Sequence, residues 1–227
     1  TVAGGLGGIV ADWTTLAENI YQSEYTSDWA LPSVVWTGIP EGITTYISVK
    51  AVDNAGNATV VPDVFYVKKD TTPPNLSISY VPPAGWLLDS PGPVTGTSFS
   101  DSVSSLSAVQ YSVSSNKASS DGNVIPWTDI AEVSGSPSFS AEWNYDFSRL
   151  ANGTSNYFSL RATDLAGNET GNVGIDTFTI RKNVSGPVVT ISTPSALYLS
   201  TITLISGYNT ETDGRPVMST ELSKIGR

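Results

Sequence analysis

"VKAVDNAGNAT" occupies residues 49–59, and "LRATDLAGNET" occupies residues 160–170. Each position of the second stretch lies 111 residues after its counterpart in the first. In both, alternating apolar residues give way to Asp, Gly and Asn, which reads as a strand running into a tight turn. Gly56 and Gly167 supply the positive φ that such a turn needs. Asp53 and Asp164 can accept hydrogen bonds from the N–H groups of their own turns, and Asn57 and Asn168 tolerate left-handed backbone.

The repeat extends outward on both sides. "DWTTLAE" at 12–18 matches "PWTDIAE" at 126–132, "VFYVKK" at 64–69 matches "TFTIRK" at 177–182, and "TPPNLSIS" at 72–79 matches "SGPVVTIS" at 185–192. The offset drifts from 114 to 111 to 113, so loops differ in length while the elements keep their order. Four matched segments in one order mark repeated structural units. "DTTPP" at 70–74 and "NVSGP" at 183–187 read as linkers. They bound one complete unit at 71–183. The back part of an earlier unit would occupy 1–70 and the front part of a third 184–227. The last twenty residues, with Arg215, Glu221, Lys224 and Arg227, are more charged and align with neither neighbour.

Seven strand candidates fall inside the complete unit, at 75–80, 93–99, 107–114, 124–130, 138–145, 156–163 and 177–182. The third places Val109, Tyr111 and Val113 on one face and Ala108, Gln110 and Ser112 on the other. The sixth turns Phe158, Leu160 and Ala162 inward and Ser159, Arg161 and Thr163 outward. Ile47, Val49 and Ala51 repeat that pattern in the first unit. Short alternating strands separated by turn residues predict an all-β fold built as antiparallel β-sandwiches.

Composition narrows the chemistry. The 227 residues include no Cys and no His, and the formal net charge is −10. Disulfides, thiolate metal sites and Cys nucleophiles are excluded, as are Ser-His-Asp and Cys-His catalysis within this chain. The remaining acids are scattered or sit in repeated turns, so no catalytic role is expected. An acidic surface repels nucleic acid and anionic membranes and attracts divalent cations. No apolar run approaches the ~20 residues of a membrane span, so no membrane insertion is expected. The chain begins at Thr1 and its one Met is Met218, which suits a piece of a longer protein.

At its hairpins and linker the chain resembles the bacterial immunoglobulin-like repeats, relatives in shape of fibronectin type III domains. The residues that carry the resemblance are Ala51-Val52-Asp53-Asn54-Ala55-Gly56-Asn57, its copy Ala162-Thr163-Asp164-Leu165-Ala166-Gly167-Asn168, and the linker Asp70-Thr71-Thr72-Pro73-Pro74. "PVTGTSFSD" at 93–101 also looks like the second strand of that family. The resemblance implies tandem immunoglobulin-like sandwiches, one complete and two partial. It implies a structural spacer or stalk in an extracellular or cell-surface bacterial protein of the adhesin kind. The partners it implies are the neighbouring repeats, with surface glycans or cell-surface proteins as further candidates. The alternative is an accessory carbohydrate-binding region of a secreted carbohydrate-active enzyme. One departure concerns the tyrosine corner of such repeats. Thr45 and Asn156 hold its position, while Tyr46 and Tyr157 come one residue later and face away from the core.

Two candidate sites follow. In the implied topology the loop after the second strand and the turn after the sixth gather where the incoming linker arrives. Asp70, Asp101, Asp164 and Asn168 would then meet as hard oxygen ligands for Ca²⁺. Each Asp can equally cap its own turn. Of the six Trp residues, Trp13 and Trp127 recur at matching positions and read as core. Trp29 and Trp86 lack a counterpart and are the candidates for stacking on a sugar ring.

Overall fold

The computed structural model describes residues 8–170, 175–193, 195, 198–201 and 204–210. The third unit expected over 184–227 is thus described only in part, and its charged end at 211–227 lies outside the described residues. Strands dominate. Among the described residues the helical elements are α1 (Ser33–Gly38) and a 3-10 turn at Phe147–Arg149. No helix among the described residues is long and apolar enough to cross a membrane.

The hairpin of β1 (Thr44–Val52) and β2 (Ala58–Lys68) comes first and is antiparallel. Then follow β3 (Asn75–Ile78), β4 (Trp86–Leu87), β5 (Thr97–Ser100), β6 (Leu106–Ser114), β7 (Ile125–Ala131), β8 (Ser138–Phe139), β9 (Thr154–Asp164) and β10 (Phe178–Lys182). They form a five-stranded sheet in the order β4-β10-β9-β6-β7 and a three-stranded sheet in the order β3-β5-β8. A last antiparallel pair joins β11 (Val188–Thr193) to β12 (Ser206–Thr210).

The two larger sheets share one core, giving a sandwich-like body. Val109, Val113, Phe158, Leu160, Ala162 and Ile180 of the larger sheet are at most 1% exposed, as is Phe99 of the smaller one. The register sets Tyr111 opposite Leu160 and Val113 opposite Phe158, so the inward faces of β6 and β9 coincide. Phe158 and Phe178 stack at 4.4 Å between ring centres. Burying each such side chain contributes roughly 1.5–3 kcal/mol. On the outer face Ser159 is buried as well, because the turn at Asp176 folds over it and the Asp176 N–H donates to its Oγ at 3.2 Å.

The expected strand at 75–80 ends early and has a second part. β3 stops at Ile78, the chain passes Pro82, Pro83 and Gly85 (φ +95°), and β4 then pairs in parallel with β10, Trp86 in register with Arg181. Proline has no N–H for a ladder and fixes φ, so it ends the antiparallel pairing and lets the segment change sheets. The strands expected at 93–99 and 138–145 shrink to β5 and β8 plus a bridge from Val94 to Trp143.

Trp13 and Trp127 are not core. The Arg161 guanidinium lies 4.3 Å from the Trp127 ring, and Lys50 Nζ lies 4.7 Å from the Trp13 ring. β7 has an irregular register between its pairings Thr128↔Tyr111 and Ile125↔Val113, around Pro126. That bulge reverses the alternation, so Ile125 and Ile130 both reach the core and Trp127 stays outside. The conserved pairing of ring and cation in both units contributes about 0.5–1 kcal/mol at such exposed sites. The buried indole is Trp143, whose Nε1–H donates to Thr97 Oγ1 at 3.0 Å.

Asn156, where a corner tyrosine was absent, is fully buried and ties the turn ahead of β9 to the strand. Its Oδ1 accepts from the Ala151 N–H at 2.8 Å and its Nδ2 donates to the Ala151 carbonyl at 3.0 Å. In the first hairpin Thr45 is 3% exposed at the same place. Ile47 and Val49 are half-buried there and Ala51 is exposed, whereas Phe158, Leu160 and Ala162 are covered. The smaller sheet that covers the second unit has no counterpart over β1 and β2 among the described residues.

Candidate functional site

The repeated turn builds one side of a joint. The Asp164 N–H donates to the Asn168 carbonyl at 3.1 Å, and the Gly167 N–H to the Asp164 carbonyl at 3.2 Å, closing the turn. Asp164 Oδ1 accepts from the Asn168 N–H and Oδ2 from Asn168 Nδ2, both at 2.8 Å. Asp53 and Asn57 make the same contacts in the first unit, and the Asn57 amide holds the Asp53 carboxyl below the usual carboxylate range. The repeated stretch is therefore scaffold at both places.

In the second unit the turn does more. Asn168 Nδ2 also donates to the Asp70 carbonyl at 3.2 Å and faces that of Thr72 at 3.5 Å, so the turn holds the incoming linker. The first unit grips the same linker from the other side. Glu41 accepts from the Thr71 N–H at 3.0 Å and from Thr71 Oγ1 at 2.8 Å, and pairs with Lys69 at 3.3 Å. The Thr71 hydroxyl is the largest of the influences that lower the Glu41 carboxyl. Gly42 beside it is so close to the second unit that an added Cβ would lie 3.4 Å from Val103 Cγ1.

Asp70, Asp101 and Asp164 meet at this joint, each with a carboxylate oxygen within 4.8 Å of the others. Asp101 is 5% exposed and Asp164 2%. Asp101 Oδ1 accepts from the N–H groups of Val103, Ser104 and Ser105, which bends the chain from β5 into β6. Asp70 Oδ1 accepts from the Thr72 N–H at 3.0 Å, while its Oδ2 is buried without a hydrogen-bond partner. Two like charges this close repel by about 3 kcal/mol at an effective dielectric of 20. Three hard oxygens could hold a divalent cation, with waters completing the shell. Asn168 stands beside them, and its contacts here are made by the Nδ2 donor.

No family model, curated protein or solved structure matches this chain.

Two further contacts repeat without having been read from the sequence. Lys182 is 6% exposed and its Nζ donates to the carbonyls of Ser148 and Leu150 at 2.8 and 2.9 Å. Lys69 Nζ does the same for Ile39 at 3.2 Å. Asn152 takes the place of Glu41 at the outgoing linker, accepting from the Val184 N–H and donating to Ser185 Oγ, both at 2.8 Å. Both lysines stood in the matched segments "VFYVKK" and "TFTIRK". A Lys at a strand end reads as solvent-facing, so the match carried the only signal.

The two candidate sugar-stacking tryptophans part company. Trp29 does have a counterpart, Trp143, 114 residues later. Trp29 lies 6.3 Å from Phe65 as Trp143 lies 6.5 Å from Phe178, so its 39% exposure is that of a core indole without its covering sheet. Trp86, 38% exposed, sits on the edge strand β4 beside Arg181.

Proposed function

We propose that the chain is a stretch of tandem immunoglobulin-like spacer repeats from a surface or secreted bacterial protein, whose task is to hold another part at a distance. The observation that carries this reading is the linker at 70–74, gripped from one side by Glu41 and from the other by Asn168. A linker of five residues with Pro73 and Pro74 has little slack, and each proline ring also restricts the residue before it. The recurrence of the same hairpin, lysine caps and linker grips supports the repeat reading. Ca²⁺ held by Asp70, Asp101 and Asp164 would stiffen the joint by offsetting the repulsion among them.

Small-angle scattering on the chain, with Ca²⁺ and with chelator, tests this. The expected particle is elongated, and more rigid with Ca²⁺. A compact, near-spherical particle sinks the spacer reading. An elongated particle indifferent to chelator retains the spacer and removes the cation from the joint.

A further inference from the structure

The outer face of the five-stranded sheet carries a groove of about 540 Å³, at the end away from the carboxylate cluster in the register of β9. Its floor is Ser155 and Tyr157 of β9 with Thr179 and Arg181 of β10, and Lys117 reaches it from the loop between β6 and β7. The 81–85 segment closes one side. In a chain of net charge −10, the residues lining this concavity include two cations and no carboxylate. The ion pairs among the described residues are Lys69 with Glu41 and Arg161 with Glu169, so neither Lys117 nor Arg181 is neutralised by one.

The groove is built rather than incidental. The loop that carries Lys117 is closed by a reciprocal pair, the Ser115 N–H donating to Asn123 Oδ1 and Asn123 Nδ2 to Ser115 Oγ, both at 2.9 Å. It is tied to the turn before β10 by the Ala118 N–H, which donates to Asp176 Oδ2. Arg181 is in register with Ser155 on one side and Trp86 on the other, so one sheet face presents an aromatic ring, hydroxyls and a guanidinium in a row. Tyr157 is in register with Thr179 next to them.

We infer that this groove binds an anionic saccharide. The volume falls in the ~300–1,000 Å³ range of small-ligand sites. Arg181 offers the paired donors that match a carboxylate or sulfate, and Lys117 a second positive charge. The phenol of Tyr157 and the hydroxyls of Ser155 and Thr179 suit a ligand covered in hydroxyl groups, and the Tyr157 ring offers an apolar face. This inference goes beyond the spacer reading and stands independently of the cation joint.

Affinity electrophoresis of the chain in gels containing polygalacturonate, dextran sulfate or neutral dextran, all with chelator present, tests it. Polygalacturonate, dextran sulfate or both should retard the chain, and neutral dextran should not. The arm that responds tells carboxylate from sulfate. Arg181→Ala and Tyr157→Ala should each weaken retardation by about tenfold, the scale of a lost charge-assisted contact. Lys68→Ala, on the exposed β2, should leave it unchanged. Tyr157→Ala removes no charge, so its effect separates a site from general ion exchange. Absence of retardation by both anionic polymers overturns the inference. So does retardation that Arg181→Ala and Tyr157→Ala leave intact, with unchanged melting temperatures showing that the variants are folded.

Discussion

Asn168 Nδ2 donates to the backbone carbonyl of Asp70, 3.2 Å away and 98 positions earlier in the chain. The same amide hydrogen-bonds Asp164, the residue that shapes the turn in which Asn168 sits. One side chain thus couples a turn inside the second unit to the segment that leads into it. A turn motif that could have been purely local is also part of a joint between units.

The carboxylate cluster at that joint should respond to Ca²⁺. At a hundredfold excess over the dissociation constant, Ca²⁺ should stabilise the chain by about 2.7 kcal/mol. Asp70→Asn is the cleanest disruption, because Asn can still accept from the Thr72 N–H. Asn183 makes that contact at the next linker, accepting from the Ser185 N–H at 3.0 Å. The variant should fold normally and lose most of the gain, read as melting temperature with Ca²⁺ against chelator. Equal gains in both proteins would place the cation elsewhere.

Gly167→Val should destabilise the second unit by about 1–2 kcal/mol, the scale of a left-handed L-residue. Gly167 has φ +91°, and an added Cβ would meet nothing within 4 Å. The cost is therefore conformational, not steric. Gly167→Asn should cost less than Val, since Asn tolerates this region. Urea unfolding of both variants checks the order, and equal stabilities for Val and wild type would refute the assigned turn.

Lys182→Met should cost about 2–4 kcal/mol in urea unfolding. Methionine preserves an apolar stem but leaves the carbonyls of Ser148 and Leu150 without the donor that now caps them. The 3-10 turn at Phe147–Arg149 should loosen first, visible as faster amide exchange at Leu150, whose N–H donates to the Phe147 carbonyl. Unchanged exchange there would show that the lysine is not what holds the turn.

Tyr145 should make the fold sensitive to alkali. Burial pushes its phenol up to about 12, with the charge of Tyr80 adding to the rise and the Ser90 hydroxyl pulling back. The raised value means that the fold favours the neutral phenol. That contribution is complete below the ordinary value of 10.0 and is lost as pH rises from there toward about 12. The hydroxyl makes no hydrogen bond of normal geometry, so Tyr145→Phe should keep neutral-pH stability and flatten the loss above pH 10. An identical alkaline profile for the variant would assign the loss to other groups.

The sequence by itself determined the repeat, the hairpin turns and the inward faces of β6 and β9. These are legible because strand alternation and turn chemistry depend on residues a few positions apart. Val109, Tyr111, Val113, Phe158, Leu160 and Ala162 are buried as their spacing requires. The resemblance to repeats of known topology also suggested that Asp70, Asp101 and Asp164 would come together, and they do. Tertiary structure alone decided the rest. A bulge near Pro126 reversed one strand's alternation and left Trp127 outside, so Trp143 became the core indole. The chain's change of sheet at Pro82 and Pro83 put Trp86 beside Arg181. Lys182 is buried because two carbonyls more than thirty residues away need a donor. A contact between distant segments leaves no period in the sequence, so only folding shows which polar residue meets which.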